Sequence, residues 1–397
     1  MPRNESMLKF SKYTYLDNNS TTKVSDSVCE SMMPFLGIQL GNPSSNTSIG
    51  RTAKKAIDNA RKQIAKEIDA DPKEIYFTSC GSESNSWAIH SCVNQPQAAS
   101  KQIIITTPVE HDSVRENLEY LKENHKFEIF QLSIKNNGEL DLSNLASLDF
   151  NNVLFASLML VNNELGTIYQ EEIKQLRKIL PPEIPIHCDA IQALGKLKFS
   201  VKDLGVEFLS LSGHKIHAPK GVGVLYVKNG QAASPLIWGH QERSQRGGTE
   251  NVAYIVGFGI ATEESYATTS DGETFEDRMK RITKMRDYIE TSASEINGVI
   301  FNAKSSLRVA NTANIGFVEI DAIKLALLLE QRGIFISNGA ACNEIDPQHS
   351  HVLKAIDSPA YENGAIRISL SNDNTQYDAE YFVENLRFCI SKLRGEK

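Results

Sequence analysis

The residues with the clearest chemical potential surround one lysine. Ser210-Leu211-Ser212-Gly213-His214-Lys215 leaves a short apolar run and continues through Ala218-Pro219-Lys220-Gly221-Val222-Gly223. A lysine placed directly after a buried strand and small residues has restricted access to water. Desolvation and neighbouring positive charge lower such an amine from its reference pKa of about 10.4. An amine so tuned attacks carbonyls and holds a pyridoxal aldehyde as a Schiff base. Alone, the same text also reads as a surface-loop lysine. Lys220, in its Pro-Lys-Gly setting, suits a turn before the next strand.

Four further polar clusters precede it. Ser79-Cys80-Gly81-Ser82-Glu83-Ser84-Asn85 follows the run Ile75–Thr78. A small-residue loop entering a helix presents free backbone N–H groups and a positive dipole end, which is a phosphate cradle; a Ser-rich helix cap has the same text. Glu110-His111 follows Ile103–Thr106, and Asn162-Asn163-Glu164-Leu165-Gly166 follows the apolar run from Val153. His187-Cys188-Asp189-Ala190-Ile191-Gln192 puts a carboxylate directly after a buried strand, which is costly unless it is paired. It either caps the next helix or holds a protonated ring nitrogen. In order, the clusters provide donors for a phosphate, a histidine, an asparagine, a carboxylate and an amine. Pyridoxal phosphate chemistry requires that set.

Positioning these groups needs a scaffold of strand ends. Short, nearly all-apolar runs at Ile75–Thr78, Ile103–Thr106, Val153–Leu158, Ile186–Cys188, Phe208–Leu211 and Val222–Val227 alternate with helical stretches. Examples are Glu171–Leu180 and the stripe Ala53, Ala56, Ile57, Ala60, Ile64, Ile68. The pattern predicts an α/β fold with a mostly parallel sheet covered on both faces. Ligands of such sheets bind at the carboxyl ends of the strands. The loop joining the last two runs predicts one antiparallel edge. Past residue 260 a long amphipathic helix over Glu273–Ile296 and strands near Asn311–Val318, Ile334–Ser337 and Ala365–Leu370 predict a smaller C-terminal α/β domain. The polar stretch Ala267–Thr274 is its boundary.

Composition narrows the class. The chain has 397 residues and a formal net charge of −7, so direct nucleic-acid contact is not expected. Cys29, Cys80, Cys92, Cys188, Cys342 and Cys389 form no CxxC pair, which argues against a metal site and for a reducing, cytoplasmic setting. Met1 to Tyr13 lacks an apolar core of the signal-peptide kind. The longest apolar run, Val153 to Val161, is too short to span a bilayer. The basic run from Arg278 to Arg286 is interleaved with acids and reads as a solvated helix face.

In these motifs the chain resembles the class V aminotransferase superfamily of fold type I pyridoxal enzymes, and within it the cysteine desulfurases of the NifS/IscS type. The matching text includes Tyr15-Leu16-Asp17, Gly41-Asn42-Pro43-Ser44-Ser45, Glu110-His111, Asn162-Asn163-Glu164, Asp189-Ala190 with Gln192, and Ser212-Gly213-His214-Lys215. It continues through Arg246-Gly247-Gly248-Thr249-Glu250-Asn251, Gly339-Ala340-Ala341-Cys342 and Ile366-Arg367-Ile368-Ser369. The resemblance implies a mostly parallel seven-stranded sheet flanked by helices. It implies a large domain over residues 21–262, and a small domain from 1–20 and 263–397 that carries a catalytic cysteine loop.

It also implies roles. Lys215 forms the Schiff base with pyridoxal 5′-phosphate, Asp189 pairs with the ring nitrogen, and Gln192 and Asn163 bond the ring oxygen. His111 stacks on the ring and moves protons. Gly81, Ser82, Ser212 and His214 hold the phosphate, joined by Thr249 from the other subunit of a homodimer. Arg367 clamps the substrate carboxylate, and Asn42 lines the substrate pocket. Cys342 attacks the sulfur of L-cysteine, leaving alanine and a persulfide that passes to a sulfur-acceptor protein. Cys80 stands where the family often has glycine, Ser82 where threonine is usual, and Asn343-Glu344 follows Cys342 in place of Ser or Thr. Two other readings are a selenocysteine lyase or related class V enzyme, whose activity does not depend on Cys342, and a catalytically idle partner subunit. Iron–sulfur cluster assembly, tRNA thiolation and DNA phosphorothioation are all destinations for such sulfur.

Overall fold

The structure, a computed structural model, describes residues 13–338 and 349–396; Cys342 lies outside the described residues. Seven strands pair into the central sheet: β1 (Ile75–Thr78), β2 (Ile103–Thr106), β3 (Glu128–Gln131), β4 (Val153–Met159), β5 (Ile186–Asp189), β6 (Phe208–Ser212) and β7 (Gly223–Val227). Their order is β1-β7-β6-β5-β4-β2-β3. The expected fold is present: every pairing is parallel except those of β7, which runs antiparallel to both β6 and β1. One expectation needs correcting. The reversed strand is not at the edge, because β1 pairs along its outer side in the register Thr78↔Gly223. The short β6–β7 connection forces the reversal, and β1 then restores the original direction.

β4, β5 and β6 are buried along their whole length. This explains their continuous apolar text, since both faces are covered. β3 is the strand of the central sheet that the sequence reading missed. Only Ile129 and Phe130 are apolar there, and they are half-buried between exposed Glu128 and Gln131. An edge strand needs no longer apolar run.

Helix α1 (Ser48–Glu67) is capped by the Thr47 side chain, which accepts from the Gly50 amide. It buries the expected stripe, with Ala56 only half-buried. α2 (Gly81–Val93) and α3 (Asp112–His125) start just beyond β1 and β2. α4 (Val252–Tyr266) packs closely on α1: a Cβ on Gly259 would lie 2.6 Å from Ala60 Cα. α5 (Phe275–Ala293) and α6 (Gln376–Arg394) pack with a three-stranded antiparallel sheet ordered β8 (Val299–Asn302), β9 (Thr312–Phe317), β10 (Ala365–Ser369). Leu16 from the start of the chain is buried in this second core. No helix of the described residues is long and apolar enough to cross a membrane.

One buried ion pair fastens α1 to the sheet edge. Arg61 meets Glu242 through two bonds, Nη2 to Oε1 at 2.7 Å and Nη1 to Oε2 at 2.9 Å, and also donates to the Ile75 carbonyl. Glu242 accepts the Phe77 amide at 2.9 Å as well. Removing one partner leaves a buried charge uncompensated, so Arg61→Met is expected to cost about 3–5 kcal/mol. Combining it with Glu242→Gln removes the stranded charge and keeps an acceptor for Phe77. Urea melts should therefore find the double variant more stable than R61M alone.

Candidate active site

The carboxyl ends of β1, β2, β4, β5 and β6 converge on a cavity of ≈ 370 Å³. Its lining includes Gly81, Ser82, His111, Asn163, Asp189, Gln192, Ser212, His214, Lys215 and Arg367. Strand register explains the convergence: Met159 is level with Asp189 and Asp189 with Ser210, so the residues after each strand open on one crevice. Lys220, the competing lysine, is exposed in the turn before β7.

Asp189 ends β5 and is buried. Its Oδ2 accepts from Asn85 Nδ2 at 2.8 Å and its Oδ1 from the Ile191 amide at 3.0 Å. Donors on both oxygens suit the carboxylate form. Asn85 also donates to Ser113 Oγ at 2.9 Å, and this links Asp189 to His111. His111 is the N-cap of α3, and its Nδ1 accepts from the Ser113 amide at 3.1 Å. With Nδ1 an acceptor, the neutral ring carries its proton on Nε2. Behind them His187, fully buried, bonds Ser157 at 2.8 Å and Ser210 at 3.0 Å across the sheet. Burial pushes its pKa down to about 3, so it is a neutral core residue.

Lys215 Nζ donates to the backbone carbonyls of Asn19 at 2.6 Å and Ser20 at 2.7 Å. Arg367, on β10, reaches Asp17 Oδ1 at 2.7 Å and Ser20 Oγ at 2.8 Å through Nη2, and the Asn163 carbonyl at 3.1 Å through Nη1. A phosphorylated aromatic aldehyde suits this chemistry on two observations. Buried Ser212 Oγ and Arg367 Nε have no hydrogen-bond partner among the described residues. The cavity wall at the start of α2 is Gly81, where a Cβ would lie 2.3 Å from Ile191 Cδ1. Donors without acceptors and a backbone left bare suit an anionic group at a helix N-terminus.

Two predicted residues are not brought to the cavity of their own chain. Asn42 is exposed, and its Oδ1 accepts the Ser44 amide in a local turn. Thr249 lines a separate cavity of ≈ 160 Å³ with Thr78, Ser79 and Arg246. Arg246 of that second cavity pairs with Glu83, the neighbour of Ser82, at 2.9 Å. Burial alone would raise the Glu83 pKa, but bonds from Arg246 and Ser79 hold it below the usual carboxylate value.

The sequence reading assigned no role to Asn19, Asn85 or Lys196, and none to the carboxyls of Asp17, Glu110 and Glu164. Burial, against bonds from Thr107 and the Met159 amide and reinforced by Asp189, pushes Glu110 up to about 8. Burial likewise raises Glu164 to about 7, against the Ser350 hydroxyl and Arg367. The folded state therefore binds these protons more tightly than the unfolded chain, where carboxyls titrate near 4.5. Their stabilisation is complete at acid pH and is lost as pH rises toward 7–8, by up to about 1.4 kcal/mol per pH unit and group. His187, at about 3, and His214, lowered to about 4 by burial and by Lys215, act in the opposite sense below 6.5. Between pH 6.5 and 8 the two carboxyls pull stability down, while Lys196, whose amine burial and the charges of Lys215 and Arg367 hold low, acts in the opposite sense. Glu110→Gln should lessen that downward pull, with a larger gain in urea-melt stability at pH 8 than at pH 6.

The Aminotransferase class-V family model matches residues 14–382. The chain is 38% identical to cysteine desulfurase NifS of Azotobacter vinelandii over 387 residues, covering 96% of this chain and 93% of that one. It is also 38% identical to cysteine desulfurase IscS of Methanosarcina thermophila, covering 97% and 93%. A solved NifS-like protein superposes with a TM-score of 0.87 at 34% identity, over 96% of this chain and 100% of that one.

Proposed function

Since the chain belongs to the class V aminotransferase family and is a pyridoxal-phosphate-dependent cysteine desulfurase, we propose that the cavity around Lys215 is where L-cysteine loses its sulfur, with Cys342 as the acceptor thiol. The observation that carries the assignment is the meeting in one cavity of an amine, a carboxylate with donors on both oxygens, an unpartnered hydroxyl, a guanidinium whose Nε is unpartnered and a helix-capping histidine. Pyridoxal phosphate, when bound, supplies an electron sink for the substrate's α-carbon.

The chain's residues do the rest. Asp189 holds a protonated ring nitrogen, stiffened by Asn85 and the Ile191 amide. Gln192 and Asn163 serve the ring oxygen. Gly81, Ser82, Ser212 and His214 hold the phosphate at the start of α2. His111 presents its Nε2 proton to the reacting face. Arg367, oriented by Asp17, takes the substrate carboxylate in the manner a planar guanidinium allows.

Thr249 completes the phosphate site of a second copy. Support for a homodimer comes from its distance from its own cavity and from strongly exposed Ile38, Leu40 and Trp238, at 85%, 77% and 83%. The persulfide then passes to an acceptor protein in the cytoplasm. Iron–sulfur assembly, tRNA thiolation or DNA sulfur modification as its destination is decided by persulfide transfer to co-purifying proteins. Given L-cysteine and a thiol reductant, the holoenzyme is expected to release sulfide and alanine in equal amounts. Pyruvate and ammonia in place of alanine would sink the assignment.

A further inference from the structure

A second lysine stands behind the first. Lys196 follows Gly195 in the turn after β5, is half-buried as a residue, and does not line the cavity of Lys215. Both lysines line a smaller space of ≈ 40 Å³ on the other side. Lys196 Nζ donates to Gln192 Oε1 at 2.5 Å and to Asn19 Oδ1 at 2.9 Å. Gln192 Nε2 donates in turn to the Asn19 carbonyl at 2.9 Å, the same oxygen that accepts Lys215 Nζ at 2.6 Å. Asn311 Nδ2 also donates to Asn19 Oδ1, at 3.0 Å, while Asn19 Nδ2 turns to Thr312 Oγ1 at 2.9 Å and the Asn163 carbonyl at 3.2 Å.

These contacts fix which end of each amide faces which way. A side-chain amide rotated by half a turn exchanges donor for acceptor with no change of shape. Rotating Gln192 would set its carbonyl against the Asn19 carbonyl and its NH₂ against the lysine. Rotating Asn19 would set its NH₂ against that of Asn311 as well as against the lysine. Burial, with the charges of Lys215 and Arg367, holds Lys196 well below lysine's usual range, yet with two carbonyl oxygens to satisfy Nζ donates in either protonation state.

We propose that Lys196 is a positioning residue. It locks the Gln192 amide with Nε2 on the cavity side, as a donor for the cofactor's ring oxygen. This deepens the proposed function and rests on its assignment of Gln192 to the ring oxygen.

The test is cofactor binding, with no turnover needed. Apo-protein is titrated by absorbance with pyridoxal 5′-phosphate and with its 3-deoxy analogue, which lacks the ring oxygen. Gln192→Ala is expected to weaken pyridoxal phosphate about tenfold, the worth of one well-made hydrogen bond, and to leave the analogue nearly unaffected. Lys196→Met, similar in length but without donors, should do the same. In the Q192A background it should add little, because the two act through one bond. Lys196→Ala runs through the same cycle, so that a packing failure in one variant does not silence the test. Equal loss for both ligands, or a Lys196 effect that adds in full to that of Q192A, would overturn the proposal. A Q192A protein binding both ligands like the wild type would sink the Gln192 assignment itself, and this inference with it.

Discussion

Lys215→Ala is expected to fold, to bind pyridoxal phosphate reversibly, and to lose desulfuration almost entirely. Lys215 is the lysine that lines the cavity among the described residues, and its Nζ is presented by two backbone carbonyls at 2.6 and 2.7 Å. Alanine at this position leaves Asp189, Ser212 and the start of α2 in place, so the phosphate and ring nitrogen keep their partners. What disappears is the covalent link. The wild-type protein should therefore carry its yellow absorbance through gel filtration and be labelled at residue 215 by borohydride. The variant should do neither, and sulfide production should fall roughly 10⁴-fold, as loss of a covalent nucleophile generally costs. Lys196 cannot substitute, because it faces the smaller space behind the cavity and is engaged by Gln192 and Asn19. A variant that stayed yellow after gel filtration would place the chemistry on another amine.

Much of the scaffold was legible because the inner strands are buried on both faces and so spell themselves in continuous apolar text. β1 and β2 match the predicted runs Ile75–Thr78 and Ile103–Thr106 residue for residue. Site residues directly after those strands were legible for the same reason: a polar group at the carboxyl end of a buried strand needs an explanation. Arg367 sits inside β10, where a charge has no such signature, and only the family resemblance singled it out.

Asn19 and Lys196 were illegible in a stricter sense. Asn19 gathers Asn311, Thr312, Gln192 and Lys215, partners from distant parts of the chain whose meeting no local spacing encodes. Lys196, after a glycine in a turn, reads as a surface lysine until the fold covers it. The position of β7 illustrates the same limit. The loop told that the strand reverses, but only the pairing with β1 tells where it lies.

Cys342→Ala should separate cofactor chemistry from sulfur transfer. The cysteine lies outside the described residues, but the chain on either side of its segment is held at the site. Before it, Arg367 and Ser337 exchange backbone bonds at 2.8 and 3.2 Å. After it, Ser350 Oγ bonds buried Glu164 at 2.6 Å, and His351 Nε2 donates to the carbonyl of Glu110, the neighbour of His111. The variant is thus expected to bind pyridoxal phosphate as tightly as the wild type and to keep its colour. Sulfide release should drop by roughly 10⁴-fold, with no persulfide detected by alkylation and mass spectrometry.

The other thiols offer little substitute. Burial drives those of Cys92 and Cys188 upward, away from the reactive thiolate. Cys80 does line the cavity, but its sulfur caps α2 by accepting the Glu83 amide at 3.4 Å. Cys80→Ser preserves such a cap and should retain activity within a few-fold, about the scale of one neutral hydrogen bond. If the C342A variant instead released sulfide at the wild-type rate, the sulfur would be leaving by elimination. The enzyme would then work as the selenocysteine-lyase type does, independently of that thiol.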